Sequence, residues 1–155
     1  RKTAPMIRAG VLPPDVPLPI DIVLHPPEQK IDGKLAGFSG IWTGEWKFAT
    51  FRGLATRNHV LAVERIHPKE ASIVVGIGEL PLIPEATRVV QPSWRRVLAK
   101  VVDGTLVFNA LSGATVTYTL NSDGTITGTS VGSVVGRTTL RKVAGASEPP
   151  MDIDH

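Results

Sequence analysis

The sequence contains no cysteine, which excludes at once a disulfide framework, cysteine-ligated zinc, iron–sulfur clusters and thiol catalysis. Aromatic residues are scarce: three Trp, one Tyr and four Phe leave too few to build a stacking platform for a nucleic-acid strand, even beside the basic run Trp94-Arg95-Arg96 and Lys100. No apolar run approaches the roughly 20 residues that a membrane-spanning helix needs. Charge of one sign is also lacking, since 17 Lys and Arg stand against 14 Asp and Glu, and a net +3 names no partner. The four histidines, His25, His59, His67 and His155, contain no His-x-His pair. His59 and His67 share strand parity but would stand about 26 Å apart, so no metal and no other cofactor is expected. What is present, 42% hydrophobic residues in a chain of 155, suffices for one domain with an ordinary core.

Proline concentrates at the start, with seven of the 13 in residues 1–27. Proline lacks the N–H that helices and inner strands use, so residues 1–35 read as an extended arm. Its Val16, Leu18, Ile20, Ile22, Val23 and Leu24 are too apolar for a solvated linker and predict docking against the domain, a second copy or a protein partner. The chain begins at Arg1 with no charged-then-apolar leader; the missing Met points toward a processed, periplasmic or secreted product and leaves the compartment open. Residues 144–155 read as a flexible tail.

Between these ends, residues 36–143 are rich in Val, Thr, Gly and Ile, with turn signals every eight to twelve residues. The pattern predicts strands over 41–50, 57–67, 70–78, 93–102, 105–111, 114–121, 125–132 and 134–143, after one short helix within 28–37 ended by Gly37. Connections such as Asp103-Gly104 and Ser122-Asp123-Gly124 are too short for crossover helices, so successive strands pair antiparallel. Eight such strands bury their apolar faces best by closing on themselves, which gives an all-β, up-and-down barrel with a Pro-rich N-terminal arm. Strand alternation turns Trp42, Trp46 and Phe48 inward, then Ile73, Val75 and Ile77, Val97, Ala99 and Val101, Leu106 and Phe108, and Val116, Tyr118 and Leu120. Small inward residues, Gly44, Ala99, Ala110 and Gly128, predict a cavity, with the loop over 79–92 gating its open end.

Gly40-Ile41-Trp42, opening the first of eight strands after a short helix, resembles the Gly-x-Trp signature of lipocalins and the wider calycin group. The longer runs Phe38 to Trp46, His59 to Ile66 and Ala71 to Gly78 are similar to bacterial lipocalin-like domains found alone or beside hydrolase domains. The resemblance covers about residues 36–143 and implies a Trp42 packed at the closed end beneath a cation from the last strand, Arg137 or Arg141. The Thr-Asp-Tyr motif and the disulfide cysteines of typical lipocalins are missing. The chain thus resembles an outlying relative, and no ligand carries over.

These residues support three functional expectations. The first is a metal-independent binding module for a small apolar or amphipathic molecule, lined by Trp46, Phe48, Val75, Phe108 and Tyr118, with His59, Glu79 and Arg95 orienting its polar end. The second is a cofactor-free lyase, isomerase or hydrolase, with His59 or Glu79 taking a proton and Tyr118 or Arg95 stabilising negative charge. The third is an accessory subunit docking through the arm. Whether the chain is an enzyme stays open. Of the adjacent Glu64 and Arg65, alternation sends one inward, where it needs a partner. Gly128-Thr129-Ser130-Val131-Gly132 matches the Gly-x-Ser-x-Gly elbow of hydrolases in letters only, because strand rather than helix is expected after it.

Overall fold

A computed structural model of the protein describes residues 12–50, 53–80, 91–132 and 134–145. Its elements are α1 (Gly33–Ala36), β1 (Gly40–Thr50), β2 (Gly53–Ile66), β3 (Glu70–Ile77), β4 (Ser93–Val102), β5 (Thr105–Asn109), β6 (Thr115–Leu120), β7 (Ile126–Val131) and β8 (Gly136–Ala144). Every strand pairs antiparallel with its neighbours in sequence, and β8 returns to β1 to close an eight-stranded barrel. The expected fold class therefore holds. Tight turns make it possible: Asp103 and Gly104 both take positive φ, the geometry of a two-residue hairpin turn. Strand β8 runs to Ala144, one residue into the stretch read as tail. Residues 1–11 of the arm, 81–90 of the long loop and 146–155 of the tail, with His155, lie outside the described residues.

One end of the barrel is sealed by α1. The Asp32 carboxylate accepts from Lys34 N at 3.0 Å and starts the turn, and the Gly37 N–H closes it on Gly33 O. This places Ile31, Leu35 and Phe38 against the interior row of Trp42, Leu61, Val63, Ile73, Leu106, Ile126 and Leu140. Trp42 donates from Nε1 to Phe38 O at 2.9 Å, and a cation covers its ring, but the cation is Lys142 at 5.1 Å. The expected Arg137 and Arg141 are exposed on the outer wall. The continuous β1–β8 register from Phe48 and Gly136 brings Lys142 opposite Trp42, while Arg141 and Arg137 pair with the outward Thr43 and Lys47.

Residues 12–27 lie along the outside of β2, β3 and β4. Val16 and Ile22 bury against Ile41, Val60, Ala62 and Val74, so the inner half of β2 is covered on both faces. Gly76 permits this, because a Cβ there would lie 2.7 Å from Val16 Cγ1 and 3.0 Å from Pro17 O. Asp15 ties the arm's start, accepting from Asn58 Nδ2 at 2.9 Å and from Glu79 N at 3.1 Å. Glu64 ties its far part: the carboxylate accepts from Arg96 Nε at 2.8 Å and from Val23 N at 3.2 Å. Arg96 also reaches Asp21 at 3.2 Å. Those hydrogen bonds, Glu64 first, hold the Arg96 guanidinium protonated above its ordinary range.

Strict alternation predicted one of Glu64 and Arg65 inside the barrel, and neither is. A bulge between Val63 and Arg65 inserts one residue, so Glu64 is buried beneath the arm while Arg65 is exposed beside His25.

Candidate functional site

The interior-facing row differs between the two ends of the barrel. Near α1 most of its side chains, among them Trp42, Leu61, Ile73, Leu106, Ile126 and Leu140, are fully buried, while Val101 and Leu120 are partly so. At the opposite end, where the β1–β2, β3–β4, β5–β6 and β7–β8 connections meet, Phe48, Ala55, Ile77, Arg95, Phe108 and Ala110 remain half-exposed. The β4–β5 ladder contributes to this opening. It pairs Lys100 with Val107, Val101 with Leu106 and Val102 with Thr105, and extends no further. Among the described residues, 93–99 thus have no partner strand on the β5 side. Val97 and Phe108 face the interior beside that parting, and both are half-exposed.

Beneath the opening, a continuous row of rings crosses the barrel. Successive ring centroids from Phe48 to Trp46, His59, Tyr118 and Phe108 are 5.9, 5.5, 5.9 and 6.1 Å apart, the spacing of offset and tilted aromatic pairs. Glycines make room for these rings. A Cβ at Gly128 would lie 3.1 Å from Tyr118 Cε1 and 3.2 Å from Trp46 Cη2, and one at Gly136 would run into Phe48. The small residues read as signs of a cavity are therefore occupied at Gly128 by large neighbours, and Gly44 likewise meets Leu140 and the β8 backbone.

His59 is at the centre. It is 1% exposed. Its Nδ1 lies 2.8 Å from Gly76 O, and only a proton on Nδ1 makes that contact favourable. Nε2 is then a bare acceptor and accepts a hydrogen bond from the Tyr118 hydroxyl at 2.7 Å. Burial lowers the His59 pKa to about 4, opposed by the Gly76 bond and assisted by the nearby Arg57 charge; burial raises that of Tyr118. The pair is thus a neutral imidazole and a neutral phenol joined across the barrel from β2 to β6.

Two groups join this site that the sequence reading did not single out. Arg57 shares the parity of His59, which was the available signal, and is 9% exposed; its Nε and Nη2 donate to Gly78 O at 3.1 and 2.7 Å. Burial lowers its pKa, with Asp15 acting against that. Thr138 pairs with Trp46 across β1 and β8, is 2% exposed, and its hydroxyl has no hydrogen-bond partner among the described residues.

Of the residues expected to form a site, Trp46, Phe48, His59, Phe108 and Tyr118 come together in the ring row. Val75 is buried on the neighbouring strand β3, one inward position toward α1 from the His59 rung, opposite Leu61 on one side and Arg95 on the other. Glu79 is exposed and held through its backbone by the arm, apart from the rings. Ser130 lies within β7, paired with Gly136, so the Gly-x-Ser-x-Gly letters have no elbow around them. No group of His, Asp or Glu among the described residues has the geometry of a metal site. None of their helices is long and apolar enough to cross a membrane. Comparisons with protein families, with curated proteins and with solved structures find no match.

Proposed function

We propose that the protein binds a small amphipathic molecule at the half-open end of its barrel. The apolar body lies on the ring row against Phe48, Ile77, Val97 and Phe108, and a polar, preferentially anionic end faces Arg95. The observation that carries this reading is the asymmetry of the interior row: sealed by α1 at one end, half-exposed at the other and beside the parting of β4 from β5. Mostly apolar walls with few polar fixtures are the usual composition of such sites. A lipocalin-like identity is part of the same proposal. Its support is the up-and-down order, the α1 plug, and Gly40-Ile41-Trp42 opening β1 with Lys142 over the indole.

Acid–base chemistry by His59 and Tyr118 has less behind it. Both are buried, each is bonded to the other, and their shifts leave neither poised to exchange a proton near neutral pH.

The test is a fluorescence titration with anilinonaphthalene sulfonate, an apolar ring system carrying one anion. Saturable binding is expected. Phe108→Asp should weaken it by about tenfold or more by placing a carboxylate against the apolar body of an anionic probe, and Arg95→Gln by about tenfold through loss of a charge-assisted hydrogen bond. Binding that does not saturate, or that both variants leave unchanged, contradicts the proposal.

A further inference from the structure

The turns at the two ends of the barrel differ in chemistry. At the α1 end they are His67-Pro68-Lys69, Asp103-Gly104 and Asn121-Ser122-Asp123-Gly124, all polar or breakers. At the half-open end the corresponding segments raise large apolar side chains into solvent: Leu54 is 71% exposed, Leu111 84% and Val135 60%, with Val131 and Val134 beside them. Leu111 lies in the β5–β6 connection and Val134 and Val135 in the β7–β8 connection, while Leu54 and Val131 stand at the adjoining ends of β2 and β7. An apolar crown contributed by several turns at one end is an interaction surface by its composition.

The charges around it indicate what it meets. Lys47 and Arg137 are direct cross-strand neighbours on the outer wall just below the crown, and both are exposed. Like charges placed opposite each other on a sheet repel, and an external anion relieves that repulsion. An open groove runs from them along the outer wall between β1 and β8, lined also by Thr43, Glu45, Thr139 and Arg141. Arg57 and Arg95 add two further cations on this half of the barrel; Asp15, Glu45 and Glu79 are its described acids. Apolar tips with cations one rung behind them match a bilayer whose surface carries anionic headgroups: the tips enter the boundary of the acyl region and the cations sit at the phosphates.

We infer that the half-open end docks on an anionic lipid surface, with Leu54, Leu111, Val134 and Val135 entering the bilayer boundary and Lys47 and Arg137 contacting headgroups. This goes beyond the binding of a small molecule and stands on different residues. It also places the mouth of the barrel at the surface from which an amphipathic molecule is drawn.

The experiment is co-sedimentation of the full chain with vesicles of phosphatidylcholine alone and of phosphatidylcholine with phosphatidylglycerol, at low and physiological salt. The wild type should partition onto the mixed vesicles and lose binding as salt rises. Replacing Leu54, Leu111, Val134 and Val135 together by Asn should reduce partitioning by about tenfold or more, because the tips no longer enter the bilayer. Lys47→Gln and Arg137→Gln should each lower binding to the mixed vesicles by about fivefold and leave binding to phosphatidylcholine alone unchanged. All these positions are exposed, and circular dichroism of each variant serves as the check on folding. Anilinonaphthalene sulfonate binding by the glutamine variants should match the wild type, which separates failure of this inference from failure of the small-molecule proposal. No partitioning of the wild type onto the mixed vesicles, or equal partitioning of the four-Asn variant, overturns the inference. So does a stable dimer that the four-Asn variant turns into a monomer, because the crown then belongs to a second copy.

Discussion

The two ends of this barrel are made from the same eight strands and the same alternation, yet one is a core and the other an unfinished wall. At the α1 end, three apolar residues from outside the sheet, Ile31, Leu35 and Phe38, complete the packing around Trp42. At the other, no described element performs that service, and the ladder between β4 and β5 ends at Lys100. The lesson is that strand alternation fixes which side chains face inward but not whether the inside is filled. Filling depends on what the connections bring.

The comparison is sharpened most by mutating the filled end. Trp42→Ala removes the largest buried side chain together with its hydrogen bond to Phe38 and its contact with Lys142, and should cost about 3–5 kcal/mol in urea denaturation. The next effect comes from pH, through the layer between the ends. His59 is neutral in the fold with a pKa of about 4, while in the unfolded chain it titrates near 6.5. Between those values the unfolded state binds the extra proton. Stability should therefore be complete above about pH 6.5 and fall as pH drops toward about 4, by on the order of 3 kcal/mol, then level off as far as this group is concerned. A thermal midpoint series in wild type and His59→Gln checks this, and the variant should lose that part of the slope.

Tyr118→Phe comes next. It leaves Nε2 of His59 buried without a donor and should cost about 1–3 kcal/mol by urea midpoint. Smallest in stability is Phe108→Ala at the open end. Because Phe108 is already half-exposed, the loss should be about 1 kcal/mol, yet this variant should reduce anilinonaphthalene sulfonate binding while Trp42→Phe leaves it intact. Equal stability losses for Trp42→Ala and Phe108→Ala would erase the contrast between the ends.

Much of this architecture was legible in the sequence because the signals are local. Turn pairs such as Asp103-Gly104 and the alternation of Trp42, Trp46 and Phe48 are read within a few residues. What escaped depends on single-residue slips and on closure. The bulge at Glu64 moves both it and Arg65 to the outer wall, and the pairing of β8 with β1, which sets Lys142 rather than an arginine over the indole, joins the two ends of the sheet. The partnership of His59 with Tyr118 joins strands that are not neighbours in the sheet, so only the closed barrel brings them together. Gly44 and Gly128 were read as space, although Leu140 lies against the first and Tyr118 and Trp46 against the second. Gly76 and Gly78 are small because the arm passes over them.

The central claim, that one end of the interior is filled and the other receives an amphipathic molecule, is tested most directly by a nitrogen-15 NMR titration of the full chain with anilinonaphthalene sulfonate. The account predicts saturable shift changes confined to Phe48, Ile77, Arg95, Val97 and Phe108, with Leu61, Ile73 and Ile126 at the sealed end unmoved. Changes centred on the outward-facing Trp94 and Leu98, or shifts that never saturate, would contradict it.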